Sequence, residues 1–234
     1  MSAFFVYIIE SPSAPDIYHR RAEGQVLIDA LRLNQIPCIS RCAISKTAFD
    51  AALNIGLKDE LQQFPGMRPI IHLSCHANGN GILLSNDDFV TWDELRDFLK
   101  PLNVVMNGEL VLCMSCCEGF SGIRMAMTLE DGPHPYFCII GTPEKPTWAD
   151  TCVAFTCLYH RLNKGAHINE AVEAMRKAAG VESFFVEWAE NSKAGFIEYC
   201  NKTFDTTTAT QELTALAEAK PDDKRLEQTL LEKG

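Results

Sequence analysis

Nothing in this 234-residue chain approaches the ~18 consecutive apolar residues needed to cross a bilayer. The first ten residues (MSAFFVYIIE) are apolar, yet they carry neither a basic leader nor a small-residue cleavage site. They read as a first strand and not as a signal peptide. Positive charge is scarce: 21 Lys and Arg stand against 31 Asp and Glu, giving a net charge of −10 and a pI of about 5.1. That balance argues against a phosphate-backbone partner and against an anionic membrane face, so neither nucleic acid nor membrane is expected. No internal repeat is present, and no low-complexity tract beyond the threonines of residues 205–210. The expectation is a soluble, cytoplasmic protein.

Cysteine, by contrast, is plentiful, with ten in the chain. Cys38, Cys113, Cys138, Cys152 and Cys157 sit within apolar strand or helix patterns. There they read as buried free thiols in a reducing compartment, acting as small hydrophobes and not as a disulfide framework.

Short apolar runs alternate with amphipathic stretches. Residues 3–9 (AFFVYII), 36–44, 69–74 (PIIHLS), 109–114 (ELVLCM) and 136–140 (YFCII) read as strands. Residues 20–33, 47–63, 120–129, 147–162 and 168–179 read as helices. Residues 91–94 (TWDE) have capping-box spacing and start another helix, which Pro101 is expected to stop. Residues 11–16, with two prolines, read as a loop, and residues 81–84 as a small hairpin arm. Such alternation implies an α/β sandwich: a mostly parallel central sheet covered by helices on both faces. Residues 1–182 are read as the principal domain, 183–204 as its C-terminal completion, and 205–234 as a polar helical tail.

Two of these strands end on chemistry. Residues 69–74 run into Cys75-His76-Ala77-Asn78-Gly79, and residues 109–114 into Ser115-Cys116-Cys117-Glu118-Gly119. Sites in such sheets form beyond the carboxyl ends of the strands. A histidine and a cysteine there can pair as acid/base and nucleophile, which would make the protein a cysteine hydrolase. The turn into the following helix is expected to favour the Cys117 thiolate, and Gly119 to let backbone N–H groups approach a bound carbonyl. His76 is expected on a glycine-bearing loop. The glycine at +2 favours Cys117 over Cys116 as nucleophile. Cys113-x-x-Cys116 has zinc-like spacing, but within a strand the two would point to opposite faces, so no metal is expected. Nothing calls for a cofactor.

These segments resemble the two catalytic motifs of caspase-like cysteine peptidases, and within them the CHAT-domain proteases. Residues 141–179 extend the likeness through Trp148, Asp150, Phe155, Tyr159, Gly165, Ala171 and Ala179, so that it covers roughly residues 3 to 180. The resemblance implies a caspase-like three-layer sandwich and peptide-bond hydrolysis by a His76–Cys117 dyad with no third acid. The backbone N–H groups of Ala77 and Cys117 would hold the oxyanion. Ala77 replaces the family's usual glycine, and its N–H serves if its φ is negative. Ser115-Cys116 replaces the Gln-Ala pair that helps caspases bind a P1 aspartate. Glu10, Asp16 and Asp150 are the candidates for a P1 pocket, which would favour Lys or Arg. The implied setting is regulated bacterial proteolysis or antiviral defence, acting on a protein substrate and controlled by a regulatory or sensor partner. The alternative is a catalytically silent caspase-like adaptor that works by protein–protein binding.

Overall fold

The computed structural model describes residues 3–203. In chain order its elements are β1 (Phe4–Ser11), α1 (Ala14–Tyr18), α2 (Glu23–Leu33), β2 (Cys38–Cys42), α3 (Lys46–Ala51), α4 (Leu57–Gln63), β3 (Arg68–Asn78), β4 (Gly81–Leu83), β5 (Phe89–Thr91), α5 (Trp92–Val105), β6 (Val111–Ser115), β7 (Cys138–Gly141), α6 (Trp148–Asn163), α7 (Ile168–Ala179), β8 (Phe185–Trp188) and α8 (Ala189–Thr203). A π-helical turn (Ala52–Gly56) joins α3 to α4, and a 3-10 helix (Gly119–Ala126) follows β6. The described residues fall into two units. The whole sheet belongs to Met1–Ala194; the described part of Gly195–Gly234 is the C-terminal stretch of α8. The polar tail expected over residues 205–234 lies outside the described residues.

The central sheet runs β2-β1-β3-β6-β7-β8. Its pairings are parallel except the last, where β8 lies antiparallel to β7. Alternation along the strands divides the core in two. Phe5, Tyr7, Ile71, Leu73, Leu112 and Met114 pack beneath α3, α4, α5 and the 3-10 helix. Val6, Ile8, Ile70, Val111 and Cys113 pack against α2, α6 and α7. The result is the three-layer, mostly parallel α/β sandwich expected from the pattern. Each fully buried aromatic such as Phe155 contributes about 1.5–3 kcal/mol relative to exposure.

Three local expectations are corrected. Pro101 lies inside α5, which runs on to Val105. The buried Asn103 anchors that extra turn: its amide donates to the His134 carbonyl and its oxygen accepts from the Leu110 N–H. Tertiary bonding here outweighs a proline's local cost. The helix over 47–63 is broken at its centre, where the buried Tyr7 hydroxyl donates to the Ala52 carbonyl at 2.7 Å. Gly56 faces the same hydroxyl, and a Cβ there would stand 2.5 Å from it. Burial pushes the Tyr7 hydroxyl up to about 12. Residues 120–129 form a 3-10 helix over Gly119–Ala126 instead of an α-helix.

Candidate active site

The register of β3 against β6 assembles the site. His72 pairs with Cys113 and Ser74 with Ser115. Side chains alternate between faces along a strand, so His72, Ser74 and His76 share one face, with Cys113 and Ser115 beside them, and Cys117 follows in the turn just past β6. His76 and Cys117 each lie two residues past the last parallel pair. Cys75 and Cys116 turn to the opposite core. By the same alternation Cys113 and Cys116 belong to different cores, which separates the zinc-like spacing.

His76 does not sit on a loop. β3 continues to Asn78 by leaving the parallel sheet and pairing antiparallel with β4, with His76 opposite Leu83 and Ala77 opposite Ile82. Ala77 is therefore extended and has a negative φ, which meets the condition set by its replacement of glycine.

A cleft of about 680 Å³ opens over these strand ends, with His76 and Cys117 in its lining. Apolar wall residues include Val26, Pro146, Trp148 and Val153. The Trp148 ring stands nearly edge-on to the His76 imidazole, with centroids 5.7 Å apart. No hydrogen bond joins Cys117 to His76. The imidazole Nε2 instead donates to the Asp16 carboxylate at 2.9 Å, which leaves Nδ1 as the free ring nitrogen.

Asp16 is held from several sides. It belongs to α1, a short helix where a loop was expected; Ser13 is its N-cap, accepting the Asp16 N–H and donating its own hydroxyl to Oδ2 at 2.5 Å. The Arg21 guanidinium lies 3.4 Å from Oδ1. Burial alone would raise the carboxyl, but Ser13, His76 and Arg21 outweigh it and hold the group below its ordinary value.

Each of the three carboxylates expected in a P1 pocket is bonded within the protein. Asp16 faces His76. Glu10 caps the N-terminus of α2, accepting the Gly24 N–H at 2.7 Å, where a Cβ on residue 24 would collide with the carboxylate. Asp150 closes the capping box of α6 with Thr147. None of the three lines the cleft, whose exposed charged residues are Arg20 and Arg21.

The thiols differ in environment. Contact with Cys75, together with burial, pushes the Cys116 thiol well up. Cys117 is half-buried; desolvation raises its thiol as well, against the pull of the Lys145 ammonium. The element after Cys117 is a short 3-10 helix entered through Glu118 in a left-handed conformation (φ 53°), not the α-helix whose N-terminus was expected to favour the thiolate. Gly119 is sterically required there: a Cβ would stand 2.7 Å from Cys116 Sγ and 2.8 Å from Met114 Cβ.

Sequence reasoning missed Glu23, whose side chain is fully buried beneath the two strand ends. Its Oε2 accepts from Ser74 Oγ at 2.8 Å and Ser115 Oγ at 2.6 Å, and lies 3.4 Å from His72 Nε2. Burial raises this carboxyl, but His72 and the two hydroxyls outweigh it, and the group is held below its ordinary value. His72 passes its other nitrogen to the Tyr159 hydroxyl at 2.8 Å. The signal available was a pair of serines at matched positions of two buried strands, which need a common polar partner.

No protein-family model matches the chain, and no curated protein matches it. Among solved structures it is similar to the Arg-specific cysteine proteinase gingipain R, with a TM-score of 0.44 and 12% identity over 77% of this chain and 45% of that one. It is also similar to the complex of the Porphyromonas gingivalis RgpB pro- and mature domains, at 0.46 and 11% over 78% and 46%. The chain thus spans less than half the length of either.

Proposed function

We propose that this protein is a caspase-like cysteine endopeptidase of the CHAT type, with Cys117 as nucleophile and His76 as its acid/base. The observation that carries the reading is the equal offset of the two residues. Each stands two positions beyond a paired serine, at the carboxyl ends of adjacent strands, in the lining of one cleft.

Attack begins with transfer of the Cys117 thiol proton to the free Nδ1 of His76. Cys117 Sγ then bonds to the scissile carbonyl carbon, and the backbone N–H groups of Ala77 and Cys117 hold the developing oxyanion. The imidazolium gives its proton to the leaving amine as the C–N bond breaks. A water deprotonated by His76 then releases the acyl group from sulfur and restores the thiol. The expected work is regulated proteolysis of protein substrates under a sensor or regulatory partner, in bacterial defence or signalling. That setting rests on the motif resemblance.

The test is a peptide-library cleavage profile of wild type, Cys117→Ala and His76→Ala, with Cys116→Ala as the control for the adjacent thiol. The first two variants are expected to lose every cleavage made by wild type. Cleavage that persists in Cys117→Ala overturns the assignment.

A further inference from the structure

The sequence and its family resemblance supply a dyad, yet the site holds a third group in contact with the histidine. We propose that Asp16 is a positioning residue for His76: by holding Nε2 it leaves Nδ1 free to take the Cys117 proton, and it stabilises the imidazolium formed when the thiol is deprotonated. This rests on the peptidase reading of the preceding subsection and adds to it a residue outside the two motifs.

Five observations carry it. The Asp16–His76 distance is 2.9 Å, within hydrogen-bond range. The Asp16 side chain is 8% exposed while that of His76 is 40% exposed, so the carboxylate is the fixed partner and the imidazole the accessible one. Ser13 and Arg21 hold the carboxylate from other directions, so its orientation does not depend on His76. Finally, the backbone around it is built for this placement. α1 begins with Ser13 as N-cap and a proline in its first turn, which puts Asp16 where its own N–H is capped and its carboxylate faces the end of β3. Trp148 stands edge-on to the ring, so the imidazole is held by Asp16 on its edge and by the indole beside it.

The chemistry is one of charge. In the neutral ring the proton sits on Nε2, donated to Asp16. When Nδ1 takes the Cys117 proton, the ring becomes a cation beside a carboxylate already ionised and already oriented. The stabilisation therefore appears as charge develops, which is what lowers the barrier and not merely the ground state. A neutral asparagine keeps the shape but loses the charge, and can present its NH₂ to Nε2, which would force the proton to the wrong nitrogen.

The experiment measures single-turnover acylation and steady-state kcat and KM on a peptide taken from the library profile. The proteins are wild type, Asp16→Asn, Asp16→Glu and Asp16→Ala, with Cys117→Ala as control. Asp16→Asn is expected to slow acylation by about 5- to 30-fold with KM unchanged, the half-exposed imidazole limiting the effect through solvent screening. Asp16→Ala is expected to regain part of the loss in added formate or acetate, a rescue that a purely structural residue would not give. Should Asp16→Ala fold poorly, the Asn and Glu variants carry the test, with thermal unfolding checked for each. Asp16→Asn within twofold of wild type overturns the proposal, as does a change confined to KM. If Cys117→Ala retains cleavage, the peptidase reading has failed and the proposal falls with it. If Cys117→Ala is inactive and Asp16→Asn is unimpaired, only the role of Asp16 has failed.

Discussion

Replacing Glu23 by glutamine tests whether the buried carboxylate fastens the two strand ends together. The shape is kept and the charge is lost. Two serine hydroxyls donate to Oε2, at 2.8 Å from Ser74 and 2.6 Å from Ser115. A hydrogen bond to a charged acceptor contributes about 1.5–3 kcal/mol against about 0.5–1.5 for a neutral one, so two such bonds lose about 2 kcal/mol. The direction is set by the carboxyl itself. Although burial raises it, His72, Ser115 and Ser74 hold it below its ordinary value, so the fold prefers the ionised form and neutralising it is destabilising. For a domain of this size the loss corresponds to a fall in Tm of about 4–8 °C at neutral pH. The sign also predicts the pH dependence. A carboxyl depressed in the folded state stabilises fully above its unfolded value of about 4.3, and that contribution is lost as pH falls through the folded value. The gap between wild type and Glu23→Gln should therefore be full near pH 7 and narrow as pH falls below about 4.3. Urea unfolding followed by circular dichroism at pH 7, 5, 4 and 3 measures it. A glutamine variant at least as stable as wild type at pH 7 refutes the reasoning, and so does a gap that ignores pH.

The remaining predictions concern the neighbours of that anchor. Burial raises the Cys117 thiol, so iodoacetamide should label it at pH 7 more slowly than an unhindered thiol with a value near 8.5, and faster as pH rises past 9; a labelling rate that peaks at neutral pH counts against this. Cys113 and Cys116 are buried and should stay unlabelled in the native protein, which peptide mapping by mass spectrometry reads directly. Gly119→Ala presses a methyl group onto Cys116 and Met114 and should cost about 1–3 kcal/mol in urea unfolding; a change below ~0.5 kcal/mol would show that the turn yields freely. Asn103→Ala strands the buried Leu110 N–H and the His134 carbonyl and should destabilise by about 2–3 kcal/mol, with equal stability contradicting the account of why α5 continues past Pro101.

The sheet was readable because its strands are short apolar runs whose ends carry polar residues, and a period of two sets His72 and Ser74 beside Cys113 and Ser115, with His76 and Cys117 following at equal offsets. The extra length of β3 was less readable, since His76-Ala77-Asn78 has little strand character of its own and is extended by pairing with β4. Asp16 illustrates the commonest loss. Two prolines in residues 11–16 suggested a loop, but Pro15 sits in a helix's first turn, where its missing N–H costs nothing, and Ser13 followed three residues later by Asp16 is a helix start. Reading that signal would have moved Asp16 from the substrate pocket to the histidine. Glu23 was opaque for a different reason. An acid in the first turn of a helix ordinarily faces water, and only the packing of α2 across the strand ends brings Ser74 and Ser115 to it.

The adjacent cysteines make the register of β6 a reporter of folding fidelity. A one-residue insertion within that strand would carry Cys116 into the slot that Cys117 occupies, so a thiol would still face the cleft, now with Glu118 in place of Gly119 two residues on. Such a protein would keep its sheet and its thiol content. Under the proposed peptidase function, turnover would therefore distinguish correctly registered molecules from near-native ones that spectroscopy would count as folded.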